Sequence, residues 1–195
     1  MDMNILNSFL FHPRKAFGER TEYDKLIEVE PGTYIGTRWH IHDTKAATIL
    51  FFHGNGEIAP EYDDIAEVYK QHKINFIIAD YRGYGFSTGK PNVQNTMQDA
   101  HIILDSTLAE IKNRNLKGKL ILMGRSLGSV SVLELSHRYP DDFSGLIIES
   151  GISNEEPLFR LVGTTAKQAG YKKDMGFQND EKIKIDLPSI VINPT

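Results

Sequence analysis

Short apolar runs alternate along the chain with amphipathic stretches, and that alternation is the main structural signal. Ala47 to Phe52, Asn75 to Asp80, Leu120 to Met123, Gly145 to Ile148 and Leu187 to Ile192 have the length and continuous apolarity of strands buried on both faces. Between them lie helical patterns. Pro60 to His72 carries Ile65, Val68 and Tyr69 at helix spacing, with proline in the first turn. Asn92 to Asn113 puts Met97, Ala100, Ile103, Leu104, Leu108 and Ile111 on one face. Leu127 to Tyr139 is a third helix. Before the first buried run, Glu22 to Glu30 and Tyr34 to Ile41 form a hairpin. Its turn, Glu30-Pro31-Gly32-Thr33, has the Pro-Gly centre of a type II turn. Strands that alternate with helices demand right-handed crossovers and a mostly parallel sheet covered on both faces, a three-layer α/β/α sandwich.

Composition narrows the setting. At 195 residues the chain fits one domain with a substantial core, and its 40% hydrophobic and 25% charged content are ordinary for a globule. The formal net charge of −4 gives no footing for nucleic acid or an anionic membrane. The absence of cysteine excludes disulfides and thiolate chemistry and suits a reducing, cytoplasmic compartment. No apolar run reaches the length of a membrane span. Met1 to Phe11 has Asp2 where a signal peptide would be basic, so it is taken as the start of the fold.

In mostly parallel sheets ligands bind beyond the carboxyl ends of the strands, and His53, Asp80, Ser126 and Glu149 all fall there. The most telling run is Gly124-Arg125-Ser126-Leu127-Gly128, placed between a strand and a helix. A serine on such a strained turn stands above the strand ends, and any side chain at Gly124 or Gly128 would clash as the helix passes the strand. The same turn aims the N–H of Leu127 at an oxygen on the carbon under attack. The small loop His53-Gly54-Asn55-Gly56 can present further N–H groups without obstruction.

Three motifs together resemble the α/β-hydrolase superfamily, and within it the Bem46-like and ABHD-type serine hydrolases. They are Phe52-His53-Gly54-Asn55-Gly56, the stretch Asp80 to Gly89 (DYRGYGFSTG), and Gly124-Arg125-Ser126-Leu127-Gly128. The resemblance covers about Phe11 to Val191. It implies cleavage of carboxylic ester or related acyl bonds in a small-molecule substrate, with Ser126 as nucleophile and the N–H groups of Leu127 and Asn55 as oxyanion hole. Gly54, Gly56 and Arg125 would line the binding site. His53 would brace its own loop rather than act as base, and no metal or organic cofactor is implied. The fold expected is that of an α/β-hydrolase over residues 1–195, lacking the last helix and strand, with 153–184 as a small lid region.

The pattern departs from the family in one respect. A serine hydrolase of this fold carries its acid and then its histidine after the serine. Of His12, His40, His42, His53, His72, His101 and His137, only His137 follows Ser126. It lies on the same helix, about 16 Å away at helical rise. The expected acid position is not found after Ser189 to Ile192, where the sequence continues Asn193-Pro194-Thr195. Glu149 is the fallback acid, set against a bland role supporting its loop, and Asp174, Asp180 and Asp186 are expected to be solvated. A truncated or frame-shifted enzyme, a non-catalytic binding module and a histidine from another subunit all fit, in that order of preference. An exposed apolar sheet edge and marginal stability would accompany the missing elements.

Other features lead elsewhere. Gly85 to Lys90 has one residue too few for a phosphate loop, and Pro91 stands where Ser or Thr is needed. His40 and His42 share a strand face but have no second ligand cluster, so they belong to a hairpin surface. Leu158, Phe159, Leu161 and Val162 suit either an acyl pocket or helix core. Trp39 has no assigned role, and the oligomeric state is open.

Overall fold

The structure is a computed structural model that describes Asn7, residues 10–154, Glu156, Phe159, Gly163, Thr165, Lys167, Gln168, Tyr171, residues 176–184 and residues 186–193. Leu158, Leu161, Val162 and Asp174 lie outside the described residues, as do Met1 to Leu6, Pro194 and Thr195.

Seven strands make one sheet. They are β1 (Asp24–Glu30), β2 (Thr33–His40), β3 (Ala47–Phe52), β4 (Ile74–Ala79), β5 (Leu120–Arg125), β6 (Leu146–Glu149) and β7 (Ser189–Ile192). Their spatial order is β1-β2-β4-β3-β5-β6-β7. The β1–β2 and β2–β4 pairs are antiparallel and the remaining four are parallel. The intervening helices are α1 (Asp63–Gln71), α2 (Val93–Asn113), α3 (Gly128–Arg138) and a short α4 (Asn179–Lys182). The expected three-layer, mostly parallel architecture is present.

Local chemistry explains most of the boundaries. Gly32 adopts φ +78°, as the second central residue of a type II turn requires, and closes the β1–β2 hairpin. Asn92 caps α2 through a reciprocal pair of 2.8 Å hydrogen bonds with Asn95, each side chain accepting from the other's backbone N–H. Such a cap is worth about 1 kcal/mol.

The two faces of the sheet are covered unequally. On one, Leu50, Phe52, Ile77, Leu122, Leu146 and Ile148 pack against α2 and α3, where Ala100, Ile103, Leu104, Val130 and Leu133 are buried. Each such apolar side chain contributes about 1.5–3 kcal/mol when fully buried. On the other, α1 covers Ile49, Phe51, Phe76 and Ile78. Register places Met123, Ile147 and Ile190 side by side on that second face, where Tyr69 of α1 reaches Met123 at 3.5 Å. Ile121 and Met123 are only partly buried there, and Ile190 and Ile192 are 59% and 48% exposed. Val191 is also exposed, so among the described residues β7 is an apolar strand at the edge of the sheet. Among the described residues no helix is long and apolar enough to cross a membrane.

One helix differs from its sequence pattern. Pro60 to His72 is a 3-10 turn, Ala59–Tyr62, followed by α1, and the face it buries is Tyr62, Ala66 and Tyr69. Ile65 and Val68 are 45% and 53% exposed. Aromatic stacking decided the rotation. Tyr62 sits edge-on to Phe51 at 4.8 Å and Tyr69 stacks on Phe76 at 4.5 Å, while the small Ala66 lets the helix lie close to the sheet. Phe159 is 2% exposed within the main core cluster. Asp180 and Asp186 are exposed.

Candidate active site

Ser126 joins β5 to α3 with φ +49°, a left-handed conformation that is costly for any residue with a β-carbon. The glycines around it are there for space. A β-carbon on Gly124 would lie 2.6 Å from the carbonyl oxygen of Gly128 and 2.7 Å from Cγ2 of Val132. One on Gly128 would lie 1.8 Å from the carbonyl oxygen of Phe52. The turn is anchored on both sides. The Ser126 N–H donates to the Glu149 carbonyl at 2.8 Å. Its own carbonyl accepts from the N–H of Ser129 at 3.0 Å and from Ser129 Oγ at 2.6 Å. Ser129 Oγ in turn accepts from the Ile152 N–H at 2.9 Å, tying the elbow to the loop after β6.

The His53–Gly56 loop stands beside this turn, because β3 and β5 are neighbours in register up to Phe52 and Gly124. His53 is fully buried. Its Nε2 faces Asp80 Oδ1 at 3.0 Å and its Nδ1 faces the Gly54 carbonyl at 2.8 Å, so neither nitrogen is free to take a proton from Ser126. Asp80, also buried, accepts the Ala59 N–H at 2.8 Å through the same oxygen. A β-carbon on Gly85 would lie 2.0 Å from Asp80 Oδ2, so the Gly85–Gly89 stretch closes over a carboxylate and offers no phosphate cradle.

Asn55 turns its side chain toward the N-terminal segment. Its Oδ1 accepts from the His12 N–H at 2.8 Å and from Tyr84 Oη at 2.6 Å, and its Nδ2 donates to the Leu10 carbonyl at 3.1 Å. Arg14 Nε adds a 2.5 Å bond to the Gly56 carbonyl. Burial pushes the Tyr84 hydroxyl well above its ordinary pKa, so it stays a donor. These contacts leave the backbone N–H groups of Asn55 and Leu127 without an acceptor among the described residues.

Arg125 and Glu149 meet at the ends of β5 and β6, where Arg125 Nε lies 3.2 Å from Glu149 Oε1. Arg125 also pairs with Glu57, whose Oε2 accepts from the Gly54 N–H and from the Tyr62 hydroxyl, each at 2.6 Å. A cavity of about 450 Å³ opens on the α1 side, with Tyr62, Tyr69, Met123, Arg125 and Glu149 among its walls and Ser126 not among them.

The remaining histidines are elsewhere. His40 Nε2 faces Asp63 at 3.2 Å and its ring stacks on Tyr23, and His42 is exposed. His101 bridges Tyr139 and Glu134 at 3.1 Å each, and His137 is exposed in the last turn of α3. Among the described residues none hydrogen-bonds to Ser126 Oγ, and no group of three or more His, Asp or Glu side chains is gathered as a metal site. Sequence reasoning missed Leu10 to Arg14, Glu57 and Ser129, whose partners lie far off in the chain.

Comparison with known proteins agrees with this fold. The family model for serine aminopeptidase, S33, matches residues 43–182. The α/β hydrolase domain-containing protein WAV2 of Arabidopsis thaliana is 34% identical over 111 residues, 55% of this chain and 35% of its own. Protein bem46 of Schizosaccharomyces pombe is 32% identical over 116 residues, 59% of this chain and 38% of its own. The chain thus spans little more than a third of the length of these relatives. Among solved structures, α/β hydrolase domain-containing protein 10 from mouse superposes with a TM-score of 0.61 at 18% identity, over 87% of this chain and 76% of that one. With its parallel sheet, its elbow at Ser126 and a family match over most of its length, the chain belongs to the serine aminopeptidase S33 family of α/β-hydrolase-fold proteins.

Proposed function

We propose that the chain is a serine hydrolase acting on carboxylic ester or related acyl bonds of a small molecule. The observation that carries this is the strand–turn–helix elbow at Ser126, whose φ of +49° is combined with glycines at 124 and 128 where a β-carbon would lie 2.6 and 1.8 Å from carbonyl oxygens. Ser126 Oγ attacks the acyl carbon as its proton passes to a solvent water, and the carbonyl electron pair moves onto oxygen. The N–H groups of Leu127 and Asn55 receive that oxyanion. Collapse expels the leaving group, which takes a proton from that water and departs as alcohol or amine, and leaves an acyl-Ser126 ester that a second water cleaves to the free acid and Ser126. Losing one oxyanion donor typically costs about 2.7–4 kcal/mol. Gly54 and Gly56 keep the approach to this site free of side chains. Glu149 serves its neighbourhood through Arg125 and its carbonyl rather than as the catalytic acid. The lack of cysteine and the mild negative charge agree with a cytoplasmic setting.

A second reading, a hydrolase-fold module that binds without catalysis, draws on one observation. Ser126 Oγ has no base among the described residues. Hydrolysis of p-nitrophenyl acetate by the chain beside Ser126→Ala separates the two. Turnover lost in the variant establishes an activated Ser126. Equal slow rates support the binding module, with any residual acceleration of about 10³–10⁴ over water coming from binding and the oxyanion hole.

A further inference from the structure

Beyond Phe52 and Gly124 the β3–β5 pairing ends, and the two segments that would carry the oxyanion donors leave the sheet separately. One is the His53–Gly56 loop, with glycine at both Gly54 and Gly56, the latter at φ +76°. The other is the Ser126 turn. Most pins on the loop lead away from the turn. His53 is held by Asp80, and Asn55 by Leu10, His12 and Tyr84. Among the described residues the one side-chain link recorded between loop and turn is the ion pair of Glu57 with Arg125.

The pair is built for that task. Arg125 is the residue before Ser126, and its Nε reaches Glu149 at 3.2 Å, so the guanidinium spans the ends of β5 and β6. Glu57 spends one carboxylate oxygen on Arg125 and the other on the Gly54 N–H and the Tyr62 hydroxyl, both at 2.6 Å. A β-carbon on Gly54 would lie 2.9 Å from Glu57 Oε2, so only glycine allows the carboxylate to close on the backbone there. Gly54 immediately precedes Asn55, and Arg125 stands two residues before Leu127. The packing of Gly128 against the Phe52 and His53 carbonyls sets the base of the two segments, and this carboxylate–guanidinium contact is the side-chain link that ties their tips. Its side chains are 24% and 43% exposed, which makes its contribution to global stability small and its contribution to geometry the larger effect.

We propose that Glu57 and Arg125 are positioning residues that hold the His53–Gly56 loop at a set distance from the Ser126 turn. The catalytic part of this inference rests on the serine-hydrolase reading above. The loop-holding part does not.

The test uses Arg125→Gln, Glu57→Gln, the double variant and Arg125→Lys in the full chain, with Ser126→Ala as background. Glu57→Gln keeps an acceptor for the Gly54 N–H but removes the charge facing Arg125. Amide hydrogen exchange reads the loop directly. Faster exchange at 54–57 in Arg125→Gln, with α2 and α3 unchanged, is the expected result, and unchanged exchange overturns the proposal. With p-nitrophenyl acetate, each single variant should lower the Ser126-dependent kcat by up to about 100-fold, the cost of a small misplacement at a reacting centre. KM should stay within about threefold, the double variant should be no worse than either single, and Arg125→Lys should recover part of the rate. Additive losses in the double variant, or a change in KM alone, overturn the positioning role. If the parent shows no Ser126-dependent turnover, the serine-hydrolase reading has failed, and hydrogen exchange alone decides whether Arg125 holds the loop.

Discussion

Gly128 presses so closely on Phe52 that a β-carbon at Gly128 would stand 1.8 Å from the Phe52 carbonyl oxygen. That oxygen belongs to the last residue of β3, paired with Gly124 of β5, so neither side can retreat without opening the sheet beside Ser126. Gly128→Ala should cost at least about 3 kcal/mol, at the upper end of overpacking. In a thermal melt this is a fall of about 10 °C for a chain of this size. A midpoint within about 2 °C of the parent would contradict the packing described.

Asp80 is buried at 1% exposure and holds two groups in place, the His53 ring and the Ala59 N–H, while its other oxygen lies against the backbone at Gly85. Asp80→Ala leaves His53 and Ala59 without their acceptor inside the protein. A loss of about 1–3 kcal/mol is expected for each buried donor left without its acceptor. Urea unfolding followed by the fluorescence of Trp39 measures it. A loss below about 1 kcal/mol would show that His53 finds another partner.

His40 gives a pH dependence with a definite sign. Burial holds its pKa below the ordinary 6.5, outweighing the attraction of Asp63, while Arg38 pushes the same way as burial and Asp24 opposes it. The unfolded chain therefore binds a proton that the folded one refuses. Stability is fully present above pH 6.5 and falls as pH drops below that value toward the folded pKa. The slope is bounded by about 1.4 kcal/mol per pH unit. His40→Gln should flatten the stability profile between pH 5 and 7, measured by urea midpoints at each pH. An unchanged slope would place the proton on another group.

Ile190 and Ile192, 59% and 48% exposed, extend an apolar surface that begins at the half-buried Ile147. This chain, expressed alone, should melt below about 60 °C and scatter light increasingly as it is concentrated. Lysine at both positions should suppress the scattering and leave the far-ultraviolet circular dichroism unchanged. A monomeric parent with a cooperative transition well above 60 °C would overturn this expectation.

The fold and the elbow were legible because their causes are local. A buried strand announces itself as an apolar run, and the Ser126 turn needs glycine at two fixed offsets, so both can be seen within ten residues. The face of α1 was misjudged because Ile65, Val68 and Tyr69 satisfy helix spacing as well as Tyr62, Ala66 and Tyr69 do. The choice between them came from Phe51 and Phe76 on strands elsewhere in the chain. The supports of the site were invisible for a similar reason. Glu57 meets Arg125 across 68 positions and His12 meets Asn55 across 43, and no periodicity within a segment encodes such a meeting. The burial of Asp99 against Arg82 at 2.7 and 2.8 Å is another case, a carboxylate on the inner side of α2 that amphipathic patterning would have left in water.

The grip of Asn55 and Tyr84 on His12 also bears on the order in which the molecule is made. Translation delivers Leu10 to Arg14 before the partners of His12, which follow 43 and 72 positions later. While the nascent chain grows, this segment has nothing to close upon. The support of the Asn55 loop is therefore finished by a segment made before it, and only after Tyr84 has left the ribosome.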